Sequence, residues 1–361
     1  MSVLPDKQNT LYFPEIDSLR FLAFLIVFLG HSALPITAHF AKVAWYGVEF
    51  FFLISGFLLT RILVVEYQKH SSISIKMYFL RRILRIWPLY FTYLAVILFL
   101  SVFIFHSAFS IERSLGNFLF IDNFFTAAGW RNSNYYYGHL WTVSVEEQYY
   151  LILPFLIWGF LKISRQKVKF IFFLIFILLF TGKLIAVILK VKYPFIHVLP
   201  LSADSFLMGV AAGFLYIEYT ISEKKQIFLV VTGIFLLLSV LLFPSKGDTN
   251  FHLLIIYPLQ AAGFLFILLG IIGGKNYKLN RLLKDKTLMF LGKISFGLYV
   301  FHHIVSIRLQ PFLKDKTVII QLLGLGLSLI IIIAIASISF YLLEKPFLAL
   351  KMKFQIVNSG V

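Results

Sequence analysis

The chain has 361 residues, of which 60% are hydrophobic and only 14% charged, with a mean hydropathy of +0.89. Soluble globular proteins contain about 45–50% apolar and about 25% charged residues, so this composition excludes a water-soluble enzyme. The net charge of +17 lies between apolar blocks, and membrane topology therefore explains it better than nucleic-acid binding. The absence of cysteine excludes disulfides, thiolate nucleophiles and Cys-ligated metals.

Apolar runs of about 17–25 residues can cross a bilayer, because a helix satisfies its own backbone polar groups. Ten such runs predict ten transmembrane helices at residues 17–37, 43–65, 86–106, 141–161, 170–190, 197–217, 226–243, 251–272, 287–307 and 318–342. Longer connections occur at 66–85, which is basic, and at 107–140, which is polar and aromatic. No internal repeat or linker divides the chain, so residues 1–361 are predicted to form one all-α polytopic membrane domain.

The positions of Lys and Arg predict the orientation of this domain. With the N-terminus inside, most of the 33 Lys and Arg residues fall on the cytoplasmic side, as is usual in membrane proteins. Both termini are therefore predicted to be cytoplasmic. A cleaved signal peptide is disfavoured, because Asp17 and Arg20 precede the first apolar core and no small-x-small cleavage site follows it.

The first run contains two ionisable residues on one helix face. Arg20 and His31 are eleven residues apart, which is about three helical turns and about 16 Å along the axis. An ionisable side chain inside a span costs about 2.5–3.5 kcal/mol, so each one is a functional-site hypothesis. Arg20 is predicted near the cytoplasmic end and His31 in the outer part of the membrane.

Other predicted spans carry ionisable groups at about the depth of His31. They are Glu49, Glu146, Glu147, Lys183, Asp204 and His302. A histidine beside carboxylates is typical of a general base held by an orienting acid, which favours a catalytic role for His31. For Lys183 and His303 the simpler interpretation, a structural residue near a helix end, is favoured.

A basic cluster opens the third predicted span. Arg81, Arg82 and Arg85 lie in the segment RRILRIW, and the last two are on one helix face. Guanidinium groups bind phosphate oxygens bidentately, so the cluster is a candidate anion clamp. The cluster alone equally supports two simpler interpretations, the usual excess of Lys and Arg on the cytoplasmic side or the binding of anionic lipids.

Six segments in order resemble the acyltransferase-3 family. They are IDSLRFLAFLIVFLGHS, with a basic residue and His eleven positions apart, WYGVEFFFLISGFLLTRIL, RRILRIWPLYF, HLWTVSVEEQYYLILP, GKISFGLYVFHHIV and LLEKPF. Two departures from the family pattern are Thr142 in place of the usual Ser, and Phe301-His302-His303 in place of Trp-His-Trp. The resemblance covers residues 16–347, and the extracytoplasmic hydrolase-like domain of some family members is expected to be absent.

The resemblance implies an O-acyltransferase of the bacterial inner membrane. Such enzymes move an acyl group, usually acetyl, from cytoplasmic acyl-CoA to a hydroxyl of a cell-surface polysaccharide, lipopolysaccharide or lipid-linked sugar. No metal is expected, because the histidines are scattered without metal-ligand spacing. Membrane lipids are expected partners and nucleic acid is not, and the sequence indicates no oligomeric state.

Residue roles follow from the resemblance and from the intramembrane charges together. Arg20, Arg82 and Arg85, with Arg81 beside them, are expected to bind the CoA phosphates, and His31 to be the general base. The candidates for its orienting acid are Glu147, Glu146 and Glu49. Direct transfer and an acyl-histidine intermediate both remain open.

Candidate acceptor-binding residues are Trp141, Tyr149, Asp204 and His302, together with the loop tyrosines. Aromatic residues also occupy membrane interfaces by default, so they carry little weight alone. The main alternative function is a transporter or flippase for a glycan or lipid, since intramembrane charges also mark transport pathways. The lack of an internal repeat and the off-centre layer of ionisable groups favour the enzyme over the transporter. A structural or lipid-binding scaffold would leave these groups without a role.

Overall fold

The computed structural model describes residues 11–38, 44–106, 111–128, 136, 138–190, 203–218, 222–241, 252–272 and 277–356, and all regular structure within these ranges is helical. The α-helices are α1 (Pro14–His31), α2 (Ala44–His70), α3 (Ile75–Phe99), α4 (Ile111–Phe118), α5 (Asp122–Ala127), α6 (Trp141–Leu161), α7 (Arg165–Ile188), α8 (Asp204–Glu218), α9 (Glu223–Leu241), α10 (Tyr257–Ile272), α11 (Tyr277–Leu283), α12 (Lys286–Lys293), α13 (Ser295–Leu313), α14 (Val318–Ser339) and α15 (Lys345–Met352). Short π-helical segments adjoin α3, α10 and α14 at Leu100–Ile104, His252–Ile256 and Phe340–Glu344.

Five described helical stretches are long and apolar enough to cross a membrane. They are Trp45–His70, Ile75–Ile104, Arg165–Ile188, Leu253–Ile272 and Val318–Met352, and the bent pair α12–α13 would be a sixth if it forms one span. The chain is therefore an all-helical membrane protein, whereas the count of ten spans and the cytoplasmic termini stay predictions. Helices cover most of each predicted run, although the start of the 197–217 run lies outside the described residues.

Local sequence signals set the beginning of several helices. Pro14 opens α1, where its missing N–H is not needed for an intrahelical bond. The Ser74 hydroxyl caps α3 by accepting from the Met77 N–H at 3.5 Å. The Asp285 carboxylate caps α12 by accepting from the N–H groups of Thr287 and Leu288, at 2.9 and 3.1 Å.

Helix α2 lies at the centre of the bundle and packs against its neighbours through glycines. Of its apolar core 78% is buried, against 22% for Arg165–Ile188 at the periphery. A Cβ on Gly47 would lie 2.3 Å from the Ala23 oxygen of α1, and one on Gly56 would lie 2.3 Å from the Phe206 oxygen of α8. Glycine is required at these positions because the helix backbones approach so closely, as is common in membrane bundles.

Two predicted spans differ from the structure. The predicted 17–37 helix ends at His31, because Ala33 adopts a positive φ of 51° and Pro35 opens a separate 3₁₀ turn. The predicted 287–307 helix is bent by 71° between α12 and α13. The bend lies beside Gly292, where an added Cβ would meet the backbone oxygen of Asp17 at 1.8 Å, so close packing of α12 on α1 accompanies the change of direction.

The glycine contacts of α2 make a prediction about stability. In Gly209→Ala, the new methyl group would lie 2.0 Å from the Leu53 oxygen, so we expect the unfolding free energy to fall by about 1–3 kcal/mol. The matched control is Gly182→Ala, because a Cβ there meets no atom within 4 Å and alanine favours the helix by about 0.5–1 kcal/mol. Equilibrium unfolding in mixed micelles measures both, and equal stability of the two variants would contradict this packing.

Candidate active site

A cavity of about 300 Å³ lies at the Arg20 end of α1. Five cationic side chains line it: Arg20 from α1, Arg82 and Arg85 from α3, Lys293 from α12 and Lys351 from α15. The carboxylates that line it are Asp17 and Glu146. An excess of positive charge in a concave site between helices is suited to a polyanionic ligand.

The carboxylate of Asp17 has a neutral partner at the cavity wall. The Tyr12 hydroxyl donates to Asp17 Oδ2 at 2.9 Å. Burial raises the pKa of Tyr12, which lies before α1, and the nearby Asp17 carboxylate adds to that effect. Tyr12 is therefore a neutral donor that holds Asp17 in place.

Arg81 lies apart from the other arginines of its segment. Its guanidinium is 2.9 Å from Glu66 Oε2 and 3.2 Å from the Phe354 carbonyl oxygen, and it does not line the cavity. Glu66 also accepts from the Ser74 N–H at 2.7 Å. These contacts connect α2, α3 and the segment after α15. Arg81 therefore makes structural contacts that the sequence alone did not indicate.

Glu146 of α6 lies in the wall of the cavity. Its Oε1 accepts from the Ser55 hydroxyl at 2.7 Å and from the Tyr150 hydroxyl. Its neighbour Glu147 is not among the residues that line the cavity. Within the described ranges neither glutamate is hydrogen bonded to His31, so the structure does not bring the predicted base and these predicted orienting acids into direct contact.

Four histidines lie together beyond the cavity, at the His31 end of α1. His31 Nδ1 is 3.0 Å from His302 Nε2, and the two rings stack at 5.1 Å between centroids. His139 stacks on His303 at 4.8 Å and packs edge-on to His302 at 5.0 Å. His302 is fully buried, whereas His31 is partly exposed, so His31 is the more accessible residue of this stacked pair.

A buried polar pair adjoins the histidine cluster. The hydroxyls of Thr142 and Tyr299 are 2.5 Å apart, and each lies within 3.0 Å of the His139 carbonyl oxygen. Thr142 is one helical turn from Glu146 on α6, and Tyr299 is one turn from His302 on α13. Thr142, the departure from the family serine, therefore keeps a hydroxyl at this position.

The remaining predicted acids lie in a second polar group. Lys183 of α7 forms a buried ion pair with Asp204 at the start of α8. Glu49 is also buried, on α2. A structural role was favoured for Lys183 on sequence grounds, and the structure supplies the partner that the sequence did not name.

The predicted aromatic acceptor residues are largely buried against other rings. Trp141 stacks on Trp45 with centroids 5.0 Å apart, and Tyr149 stacks on Phe206 at 4.3 Å. The loop residues Tyr135 and Tyr137 lie outside the described residues. In the part of the chain that the structure describes, no group of three or more His, Asp or Glu side chains, the histidine cluster included, is arranged so that it could hold a metal ion.

Sequence reasoning missed several residues of this site. Lys293 and Lys351 were attributed to positive-inside topology alone, although both line the cavity. His139 and Tyr299 carried no separate signal, because each lies inside a motif matched for other residues. The positions of two lysines beside family motifs, in GKISFGLY and after LLEKPF, were the available indication.

Comparison with known proteins identifies the family. The family described as "Acyltransferase domain" matches residues 13–337. A peptidoglycan O-acetyltransferase, OatA of Listeria monocytogenes, is 27% identical over an alignment 331 positions long, which covers 84% of this chain and 51% of that protein. A putative O-acetyltransferase of Staphylococcus aureus (strain COL) is 25% identical over an alignment 367 positions long, which covers 93% of this chain and 57% of that protein. No solved structure matches.

The family match and the apolar helices together identify the chain as a membrane acyltransferase. The chain belongs to the acyltransferase-3 family, since the family match covers most of its length. It spans about half the length of these two curated relatives.

The buried ion pair of Lys183 and Asp204 makes a prediction about stability. In Lys183→Met the Asp204 carboxylate loses its partner, so we expect a loss of about 3–5 kcal/mol in the unfolding free energy. The double variant Lys183→Met/Asp204→Asn removes the unpaired charge and is expected to recover most of that loss. Equilibrium unfolding in mixed micelles tests this, and a double variant no more stable than Lys183→Met would contradict it.

Proposed function

We propose that the chain is an integral-membrane O-acetyltransferase of the bacterial inner membrane, with both termini in the cytoplasm. It transfers an acyl group, acetyl in the main case, from cytoplasmic acyl-CoA to a hydroxyl of a cell-surface polysaccharide, lipopolysaccharide or lipid-linked sugar. Family membership and the O-acetyltransferase relatives support this assignment. The observation that carries it is that α1 and α13 each connect the cationic cavity to the histidine cluster.

The cavity suits the nucleotide end of CoA. CoA carries a pyrophosphate and a ribose phosphate. The planar guanidinium groups of Arg20, Arg82 and Arg85 can each donate two parallel hydrogen bonds to phosphate oxygens. Lys293 and Lys351 add two amino groups that can donate further hydrogen bonds to phosphate oxygens. Apolar residues such as Ile54 and Leu58 line the same cavity and suit the pantetheine arm.

The thioester has a short distance to travel from the cavity to His31. Phe296 lines the cavity, and His302 lies six residues further along α13, which is about 9 Å at the helical rise. The Thr142–Tyr299 pair lies along this path. An extended arm anchored by the phosphates would therefore place its thioester near the Thr142–Tyr299 pair, below His31.

His31 supplies the base for direct transfer. It accepts the proton of the acceptor hydroxyl as the hydroxyl oxygen bonds to the thioester carbon. The carbon–sulfur bond then breaks, and the CoA thiolate takes the proton from the His31 imidazolium. This proton transfer returns His31 to its neutral form. The products are an O-acyl ester and CoA, and the reaction leaves no net change in charge or protons.

Glu146 takes a role on the donor side in this scheme. Glu146 lines the cavity, where its bonds to Ser55 and Tyr150 order the wall. Glu147 and Glu49, the other residues predicted as orienting acids for His31, are assigned no step in this scheme. Trp141, Tyr149 and Asp204 remain candidates for the acceptor side.

The donor site predicts a loss of CoA affinity in Arg85→Ala. Hydrogen bonds to charged groups contribute about 1.5–3 kcal/mol, so we expect Kd for CoA to rise about tenfold or more. The matched control is Arg165→Ala, because Arg165 is exposed at the start of α7 and outside the cavity. Titration calorimetry in nanodiscs of zwitterionic lipid measures Kd without competing anionic headgroups, and an unchanged Kd in Arg85→Ala would overturn the donor site.

The proposed base predicts a separation of binding from transfer in His31→Ala. General base catalysis contributes about 10²–10⁴-fold, so we expect transfer of radiolabelled acetyl from acetyl-CoA to cell-surface glycans or lipids to fall by that factor. The Kd for CoA should stay at the wild-type value, because His31 does not line the cavity. Wild-type protein that binds neither CoA nor acetyl-CoA would favour the transporter instead.

A further inference from the structure

His302 is held by a backbone carbonyl that fixes the position of its proton. Its Nδ1 lies 2.5 Å from the Tyr299 oxygen, and the ring is fully buried. A carbonyl oxygen can only accept a hydrogen bond, so the proton must be on Nδ1. A neutral imidazole carries one N–H, and His302 Nε2 is therefore an acceptor.

The tautomer of His302 determines the tautomer of His31. His31 Nδ1 is 3.0 Å from His302 Nε2, and one of the two nitrogens must donate. Because His302 Nε2 is the acceptor, His31 Nδ1 carries the proton. The lone pair of neutral His31 is then on Nε2, the nitrogen that does not face His302.

The surroundings of His302 favour its neutral form. It is packed against the rings of His31, His139 and Phe24, within 6.1 Å between centroids. A positive charge on His302 would be buried, and no carboxylate among the described residues is in hydrogen-bond contact with its ring. A neutral acceptor is therefore the partner that His31 has throughout the reaction.

We propose that His302 is the positioning residue of His31, and that it directs His31 Nε2 toward the acceptor hydroxyl. This inference rests on the proposed function and replaces the predicted glutamate as the orienting group. When His31 gains a proton on Nε2, its Nδ1–H still donates to His302, and the bond becomes charge-assisted. A neutral partner stabilises the imidazolium less than a carboxylate would, which favours return of the proton to the leaving thiolate.

The first test compares two variants of His302 with one of its neighbour. In His302→Leu the acceptor is lost, and we expect kcat for acetyl transfer to fall about 10²-fold or more while KM for acetyl-CoA is unchanged. In His302→Gln the side-chain oxygen can still accept from His31 Nδ1, so activity should be partly rescued. The matched control is His303→Leu, which alters a ring packed edge-on to His31 at 5.4 Å and should retain activity within severalfold.

The second test determines the tautomer of His31 by a measurement that does not depend on enzyme activity. NMR of isotope-labelled histidine, with the His31 signals assigned by difference against His31→Ala, should show a protonated Nδ1 and an unprotonated Nε2 in the wild type. In His302→Leu this preference should be lost. A wild-type His31 protonated on Nε2, or equal losses of kcat in His302→Leu and His303→Leu, would overturn the proposal.

The two tests separate this inference from the proposed function. If wild-type protein transfers no acetyl group but shows the expected His31 tautomer, the function fails and the histidine pair stands. If transfer depends on His31 while His302→Leu retains wild-type kcat, the function stands and the positioning role fails.

Discussion

The close approach of α1 and α8 to α2 is the constraint on which the site depends. It is possible only because Gly47, Gly56 and Gly209 present no side chain where the backbones meet. Helix α1 carries Arg20 at the cavity and His31 at the histidine cluster, so its contact with α2 fixes both positions at once. A bulkier residue at Gly47 would separate α1 from the centre of the bundle and move both ends of the site.

Much of the architecture could be predicted from the sequence, because it depends on local patterns. Apolar runs located helical segments in the described part of the chain, and Arg20 and His31 lie on one helix, as their spacing predicted. Arg82 and Arg85, which the sequence analysis grouped with Arg20, line one cavity with it in the structure. The helical segments and the shared face of Arg20 and His31 needed only local periodicity, whereas the grouping of arginines from α1 and α3 came from the family resemblance.

The contacts between helices could not be predicted in the same way. Counting residues from the ends of the predicted helices placed Glu146, Glu147 and His302 near the level of His31. The rotation of each helix about its axis, however, decides which of these side chains contacts His31. The bend between α12 and α13 adds to this, because it arises where α12 packs on α1 and has no signal in hydropathy. A histidine was therefore found where a carboxylate was expected.

The position of Lys351 in the chain bears on how the cavity is assembled. Lys351 belongs to α15, the last of the described helices, and the Phe354 carbonyl just beyond it accepts from Arg81 of α3. The wall of the cavity thus joins residues from both ends of the described sequence. During synthesis the arginines are made long before Lys351, so the lining of the anion site cannot be completed until α15 has been made.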